Sequence, residues 1–301
     1  CIETIEWTVY GKVKKVTRIP GCLVNGTTPP DLEFLYDAMG NNIAKIVKPD
    51  LADVTTWITT YYTRDASGNI MNIYEKTNDG TNDIIELKQQ LIYGSSRVGA
   101  LNMNLDITVP PPITNTYTRV LGQKNYELFD HRSNIYTVVN DKRIPVDDDG
   151  DNVIDFFLPS IESSTDYTPF GSYLAGRTFF PNKYSFSLNG KLKIDEWSNK
   201  PGGIINYGFR IYWPDGGRFL SMDPQLSLYP NLTPYIYVGN SPIYLIDPDG
   251  RIITFANRRA ETYFDRLYKA SDPETKTRLD VLKGSDAEYN IKVGLMRKGG
   301  V

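Results

Sequence analysis

A mainly β fold is what the sequence predicts: an antiparallel sheet that coils along its length, followed by a short helical tail. Three observations lead there. Alternating Tyr, Ile, Val and Thr recur through the first 250 of the 301 residues, the side-chain period of strands with one packed face. An Asp-x-x-Gly-Asn turn returns between such segments. From Asn257 onward the apolar spacing becomes that of a helix.

Residues 4–19 read as two short strands turned at Gly11, and a loop rich in Gly, Thr and Pro follows over 20–30. The first full unit runs from Leu32 to Ile46, an aromatic strand, the turn Asp37-Ala-Met-Gly40-Asn41 and a second alternating strand. Gly40 and Asn41 tolerate positive φ, and Asp37 holds the loop with its side chain. The unit returns at Tyr61-Tyr62-Thr-Arg-Asp65-Ala-Ser-Gly68-Asn69, and in weaker form at Phe129-Asp130-His131-Arg132-Ser133-Asn134, where Ser133 replaces the glycine. Hairpins repeated in this way stack side by side and bury one face jointly. Their irregular spacing predicts an expanding or spiralling sheet over a strict solenoid.

The stretch 207–250 is a junction. It holds two Asp-Pro steps, Asp223-Pro224 and Asp247-Pro248, 24 positions apart, with a Tyr-Ile-Tyr alternation and an Asn-Ser-Pro turn between them. Beyond it, Ala260, Tyr263, Phe264, Leu267 and Tyr268 share one helical face, and Ser271-Asp-Pro273-Glu274 predicts a capping box. That box opens a second helix carrying Leu279 and Leu282 and ending at Gly284, with a strand-like piece over 289–293. Charge divides at the same place: 11 Lys+Arg face 7 Asp+Glu after residue 250, leaving 22 against 29 before it. An acidic body with a basic tail points to two pieces with different jobs.

Composition also excludes. No apolar run approaches the ~20 residues a bilayer-spanning helix needs, so no transmembrane segment is expected. With no glycine-rich phosphate loop and no basic patch in the body, nucleic acid is not an expected partner. The abrupt start in strand-like sequence reads as a fragment whose targeting signal lies upstream. Cys1 and Cys22 are the only cysteines; a disulfide between them stays open, and Cys1 is also a candidate lipid-bearing residue. The lone histidine, His131, rules out His-Glu-x-x-His zinc chemistry in this chain and leaves a His-dependent triad a single candidate.

The Tyr-Asp-x-x-Gly-Asn units resemble the YD repeats of the Rhs family, which includes bacterial polymorphic toxins, the C components of Tc insecticidal toxins and, distantly, teneurins. Further matches are Ile92-Tyr-Gly-Ser-Ser-Arg97, Asp166-Tyr167-Thr-Pro169-Phe170-Gly171 and Phe186-Ser-Leu-Asn189-Gly190-Lys191. The stretch 207–250 resembles the Rhs-associated core signature in its Bacteroidetes-like form. The resemblance implies a coiled antiparallel YD-repeat sheet forming part of a hollow shell over 1–206, a core cap over 207–250, and the start of a variable effector region, incomplete, over 251–301. It implies a secreted or cell-surface bacterial protein whose shell encapsulates and delivers a C-terminal toxin. The partners it implies are that effector segment itself, a secretion machinery, an immunity protein or a cell-surface partner. The alternative is an adhesin or cell-contact protein in which the shell is the functional unit, and a further alternative is an autoprotease that releases the tail.

Two sites carry the candidate chemistry. The resemblance gives Asp223 and Asp247 the role of a self-cleaving aspartate pair, with Arg218, or else Arg210, in support and the cut near Arg251-Ile252. Two carboxylates in a low-dielectric corner cannot both ionise, so one keeps its proton as an acid while the other activates water. Gln225-Leu226 after the first step and Arg251 after the second depart from the family pattern, and weak or absent cleavage is expected. Asp-Pro also starts turns with no chemistry attached. Separately, Asp147, Asp149, Asp151 and Asp155 place carboxylates at the spacing of oxygen ligands for Ca²⁺. Asn152 and Leu158 make that loop incomplete as an EF-hand; as a solvated acidic turn it needs no ion.

Overall fold

The computed structural model describes residues 1–24, 26–109, 120–179, 184–228, 232–251 and 253–283. The alternating segments form twelve strands in chain order: β1 (Ile2–Trp7), β2 (Val13–Arg18), β3 (Asp31–Tyr36), β4 (Asn42–Lys48), β5 (Ile58–Arg64), β6 (Ile70–Asn78), β7 (Asp83–Tyr93), β8 (Arg97–Asp106), β9 (Lys124–Phe129), β10 (Ile135–Val146), β11 (Phe156–Tyr167) and β12 (Tyr173–Phe179). They join in one antiparallel sheet in which each strand lies beside its sequence neighbours. Among the described residues β1 and β12 pair only with β2 and β11, so the sheet is open. Register shifts interrupt many of the pairings, for example between Ile73 and Tyr74 and between Thr165 and Tyr167. Bulges of this kind bend and twist a sheet. The mainly β class read from the sequence is the class observed.

One turn geometry connects six of the segments. At 8–12, 37–41, 65–69, 130–134, 168–172 and 187–191, the first amide donates to the fifth carbonyl and the fourth amide to the first carbonyl, all at 2.7–3.0 Å. The fourth residue takes φ between +62° and +92° in every case, which is why glycine fills it everywhere except at Ser133. In the three aspartate-led turns, Asp37, Asp65 and Asp130 each accept from the backbone and side-chain amides of Asn41, Asn69 and Asn134. Thr8 and Thr168 do part of the same work through their hydroxyls.

One face of the sheet carries a plug. Val16, Leu32 and Val47 lie opposite one another in successive strands, and with Phe34 they pack against Ile194, Trp197, Ile204 and Ile211. Farther along, Tyr62, Ile73, Leu91 and Val138 meet Tyr184, Phe186 and Leu192. The plug has its own four-stranded sheet, β13 (Leu192–Lys193), β14 (Ile205–Asn206), β15 (Ile211–Trp213) and β16 (Arg218–Phe219). It therefore draws strands both from 184–206 and from the junction. Its interior is aromatic: Tyr207, Tyr212, Phe219 and Tyr237 stand with ring centroids 4.1–5.8 Å apart. The Tyr207 and Tyr237 hydroxyls both reach Asn189 Oδ1 at 2.6 Å. Asn189 in turn donates from its backbone to Asn134 Oδ1 at 3.0 Å, tying the plug to a turn of the sheet.

The tail docks on the plug, with Ile253 and Phe255 packed against its aromatic interior. β17 (Leu245–Ile246) pairs with β18 (Thr254–Phe255), and α2 (Arg258–Ala270) and α3 (Pro273–Lys283) follow a first short helix, α1 (Asp195–Ser198). Asn257 caps α2 by accepting from the Ala260 amide at 2.9 Å. Of the expected apolar face, Ala260 and Phe264 are buried, whereas Tyr263 and Leu267 remain exposed. The second cap differs from expectation: Asp272, not Ser271, accepts from the Thr275 amide at 2.9 Å, while the Ser271 hydroxyl donates back to Leu267 at 2.7 Å and finishes α2. A carboxylate is the stronger acceptor for an unpaired helix-start amide. The expected stop at Gly284 and the piece over 289–293 lie outside the described residues. Cys1 and Cys22 form a disulfide, which occupies the sulfur that a lipid thioether would need.

Candidate active site

Two turns meet at the centre of the plug. Gly208 and Gly250, with φ of +101° and +88°, allow 207–210 and 247–251 to approach closely. A Cβ on Gly250 would stand 3.0 Å from the Arg210 nitrogen, and the Phe209 amide donates to the Asp249 carbonyl at 3.0 Å. This contact delivers Arg210, itself 3% exposed, onto the fully buried Asp247.

Arg210 Nη2 lies 3.1 Å from Asp247 Oδ2 and 2.9 Å from Asp223 Oδ2. One guanidinium nitrogen thus bridges the two Asp-Pro steps. Below it the Phe219 ring lies 3.7 Å from the guanidinium carbon. Each aspartate spends its other oxygen on its own turn. Asp223 Oδ1 accepts from Gln225 at 2.8 Å; Asp247 Oδ1 accepts from Gly250 at 2.6 Å, Arg251 at 3.1 Å and Asp249 at 3.2 Å. The turn-forming and the chemical readings of Asp-Pro are therefore compatible, one for each oxygen.

The electrostatics favour a shared proton. Burial pushes the Asp247 carboxyl up to about 6 despite the opposing pull of Arg210, and burial likewise raises Asp223. A single buried cation serving two carboxylates leaves the cluster best neutralised by one proton. Arg210 Nε also donates to the Gly250 carbonyl oxygen, which polarises the peptide carbonyl at the end of the junction. The expected scissile position includes Ile252, which lies outside the described residues.

Arg218 takes no part in this cluster. Its backbone pairs with Trp213 and bridges to Ile236, and its exposed side chain lines a separate cleft with Phe170, Pro214 and Asn240. Lys191 Nζ donates to the Pro248 carbonyl at 2.5 Å. It holds the second Asp-Pro step from outside, a role with no signature in the sequence.

At the tip of the β10–β11 hairpin, Asp147, Asp149 and Asp151 each offer a carboxylate oxygen within 4.8 Å of the others, all exposed. Hard oxygen donors of this kind suit Ca²⁺. Loop amides already engage the same groups, Gly150 and Asn152 on Asp147 at 2.7 and 2.8 Å and Val153 on Asp151 at 2.7 Å. Asp155 lies outside the trio and accepts from the Asp148 amide at 2.7 Å. His131 is exposed in its turn.

No family model matches the chain. It is 28% identical over 222 residues to salivary gland surface protein 1 of Aedes aegypti, covering 73% of this chain and 5% of that protein. Toxin subunit YenC1 of Yersinia entomophaga is 22% identical over 291 residues, covering 95% of this chain and 25% of the subunit. Toxin subunit YenC2 of the same organism is 48% identical over 48 residues, 16% of this chain. The chain thus spans between a twentieth and a quarter of the length of these relatives. Among solved structures, the TcdB2-TccC3-Cdc42 crystal structure superposes with a TM-score of 0.53 at 18% identity, over 82% of this chain and 10% of that one. A Photorhabdus luminescens Tc holotoxin pore carrying a TccC3 mutation gives 0.54 at 19% identity, over 84% and 10%. The chain has the fold of these Tc toxin chains and is similar in sequence to Tc toxin subunits.

Proposed function

We propose that this chain is the closing part of an Rhs-type β-shell, with the twelve-stranded sheet up to residue 179 contributing wall, the stretch from 184 to 250 a plug, and the chain from 251 onward polypeptide cargo that the shell encloses and delivers. The observation that carries this reading is the plug seated on one sheet face through two apolar clusters, with the following chain docked onto it by β18 and α2. Release outside the cell, or display at its surface, fits the Cys1–Cys22 disulfide, which belongs to an oxidising compartment. None of the described helices is long and apolar enough to cross a membrane.

The test is protease protection in the full-length gene product. Enclosed cargo resists proteinase digestion while the shell is intact and loses that resistance when the sheet is unfolded. Digestion of the tail at the rate of a free peptide, with the sheet still folded, overturns the reading. It would favour the alternative in which the shell itself is the working surface, a role in keeping with the likeness to an insect surface protein.

A second reading, intramolecular cleavage near residue 251, rests on the Asp223–Arg210–Asp247 arrangement and the Arg210 contact to the Gly250 carbonyl. In this chemistry the ionised carboxylate takes a proton from water as its oxygen attacks the peptide carbonyl. The neutral carboxyl then protonates the departing amide nitrogen. Wild-type chain incubated at pH 5–7 is expected to shed a fragment of roughly 50 residues slowly, and Asp247→Asn and Arg210→Gln to shed none. Absence of the fragment from wild type, or its persistence in both variants, removes this reading.

A further inference from the structure

Between the sheet and the plug, beside the seat of Tyr184 and Leu192, lies a cavity of about 580 Å³. Strand register sets its floor. Tyr62, Ile73, Leu91 and Ala100 are buried against the plug, and side chains two positions apart on a strand share a face. One such step from each gives Thr60, Glu75, Gln89 and Asn102, all four at the cavity wall. In the pairing Thr60 stands opposite Lys45 and Glu75, and Gln89 opposite Asn102. The apolar seat is thus edged by a polar band, which Asn104, a further step along β8, extends.

Every lysine on this wall is already matched. Lys45 reaches Glu196 at 2.6 Å, Lys88 reaches Glu86 at 2.6 Å and Glu75 at 3.4 Å, and Lys193 reaches Asp195 at 3.1 Å. What remains is uncharged. Among the described residues, the Thr60, Tyr62 and Ser185 hydroxyls and the Asn104 amide have no hydrogen-bond partner, and all four line the cavity. The Asn102 side chain accepts from Gln89 at 2.9 Å and keeps its own N–H donors free. Tyr62 matters most, because the residue is only 5% exposed. Burial raises its phenol against the pull of Lys45, so it stays protonated and offers a donor. Gln89 Oε1 is sealed off, whereas the Tyr62 oxygen is not. A buried hydroxyl without a partner bears its full desolvation cost, and this one is satisfied only from the cavity.

We propose that this cavity binds a neutral polyhydroxylated ligand, a mono- or disaccharide, whose hydroxyls bond Tyr62, Thr60, Ser185, Asn102 and Asn104. Sugar hydroxyls donate and accept at once, as do the hydroxyl and amide groups of the wall. An uncharged ligand also leaves the ion pairs intact, where an ion would have to break one. The volume lies within the usual range for small-ligand sites, ~300–1,000 Å³. Strands β4 to β8 wall the cavity on one side and β13 and α1 on the other. An occupant would therefore tie plug to sheet, whatever the shell carries.

Calorimetric titration of the full chain with maltose and with N,N′-diacetylchitobiose tests this, with glucuronate as the charged comparison. Millimolar or tighter binding is expected for a neutral sugar, and none for glucuronate. Tyr62→Phe removes the hydroxyl and keeps the ring in its apolar cluster, while Asn104→Gly removes the amide at a φ of +47° that glycine accepts readily. Each is expected to weaken binding about three- to tenfold, the loss of one neutral hydrogen bond. Tyr61→Phe, altering the half-exposed neighbour on the opposite face of β5, should leave binding unchanged. No saturable heat from either neutral sugar up to tens of millimolar overturns the proposal, as does undiminished binding by both cavity variants, or glucuronate bound as tightly as the neutral sugars. Should Tyr62→Phe fail to fold, Asn104→Gly and the glucuronate comparison decide it. An unfolded peptide that binds where the sugars do not also overturns it, and gives the cavity to a polypeptide.

Discussion

At the level of single residues, Asp247 makes the sharpest claim. Its folded-state carboxyl, raised from 3.8 to about 6 by burial, holds a proton that the unfolded chain releases at lower pH. The folded state therefore binds more protons between about pH 4 and pH 6, and stability contributed by Asp247 is fully present below pH 4 and lost as pH rises through 6. The span corresponds to about 3 kcal/mol. Urea denaturation of wild type and Asp247→Asn should show a stability difference that shifts by that order between pH 4 and pH 7 and stays flat above; a difference constant with pH would contradict it. The two aspartates were singled out by the family resemblance, and they do meet on one guanidinium, that of Arg210. The choice of arginine was not legible, although a signal existed: Phe219 is buried, and period-two alternation turns its neighbour Arg218 outward. What brings Arg210 inward is the meeting of two glycine turns 40 residues apart, and no local pattern encodes that.

At the level of elements, the repeated turn is the unit on which the sheet is built, and it was readable because every part of it lies within five residues. Asp, Gly and Asn each have a separate task there, and the threonine-led versions at 8–12 and 168–172 escape a motif written for aspartate while keeping the backbone bonds. Ser133 is the strained member, a non-glycine residue at φ +62° with its side chain in solvent. Ser133→Gly is expected to stabilise the protein by about 0.5–1 kcal/mol, the left-handed cost less the added chain entropy of glycine. Thermal melts should show a small upward shift, and a downward one would mean that the serine hydroxyl holds the turn. The plug was harder to read because its strands are two or three residues long. No alternation can declare itself over such lengths, and 184–206 joins the plug through tertiary packing alone.

For the whole molecule, the question is whether sheet, plug and tail open together. The sheet and plug share two apolar clusters, whereas α2 is held mainly through Phe264, whose ring meets Phe255 at 5.2 Å, and through Tyr263 stacked on Tyr244 at 5.2 Å. Phe264→Ala is expected to cost about 3 kcal/mol of docking. Amide hydrogen exchange in α2 should then quicken by roughly a hundredfold while strands β3–β8 keep their protection. Equal acceleration everywhere would make the molecule one cooperative unit.

The pairing of β17 with β18 spans residue 251 from both sides, Leu245 opposite Phe255 and Ile246 opposite Thr254. A break in the backbone between them would leave two ends still zipped together, with the aromatic clasp of α2 beyond. Severing and parting are thus separate events. The first is a matter of bond chemistry, and the second a dwell time that side chains remote from the break can lengthen or shorten.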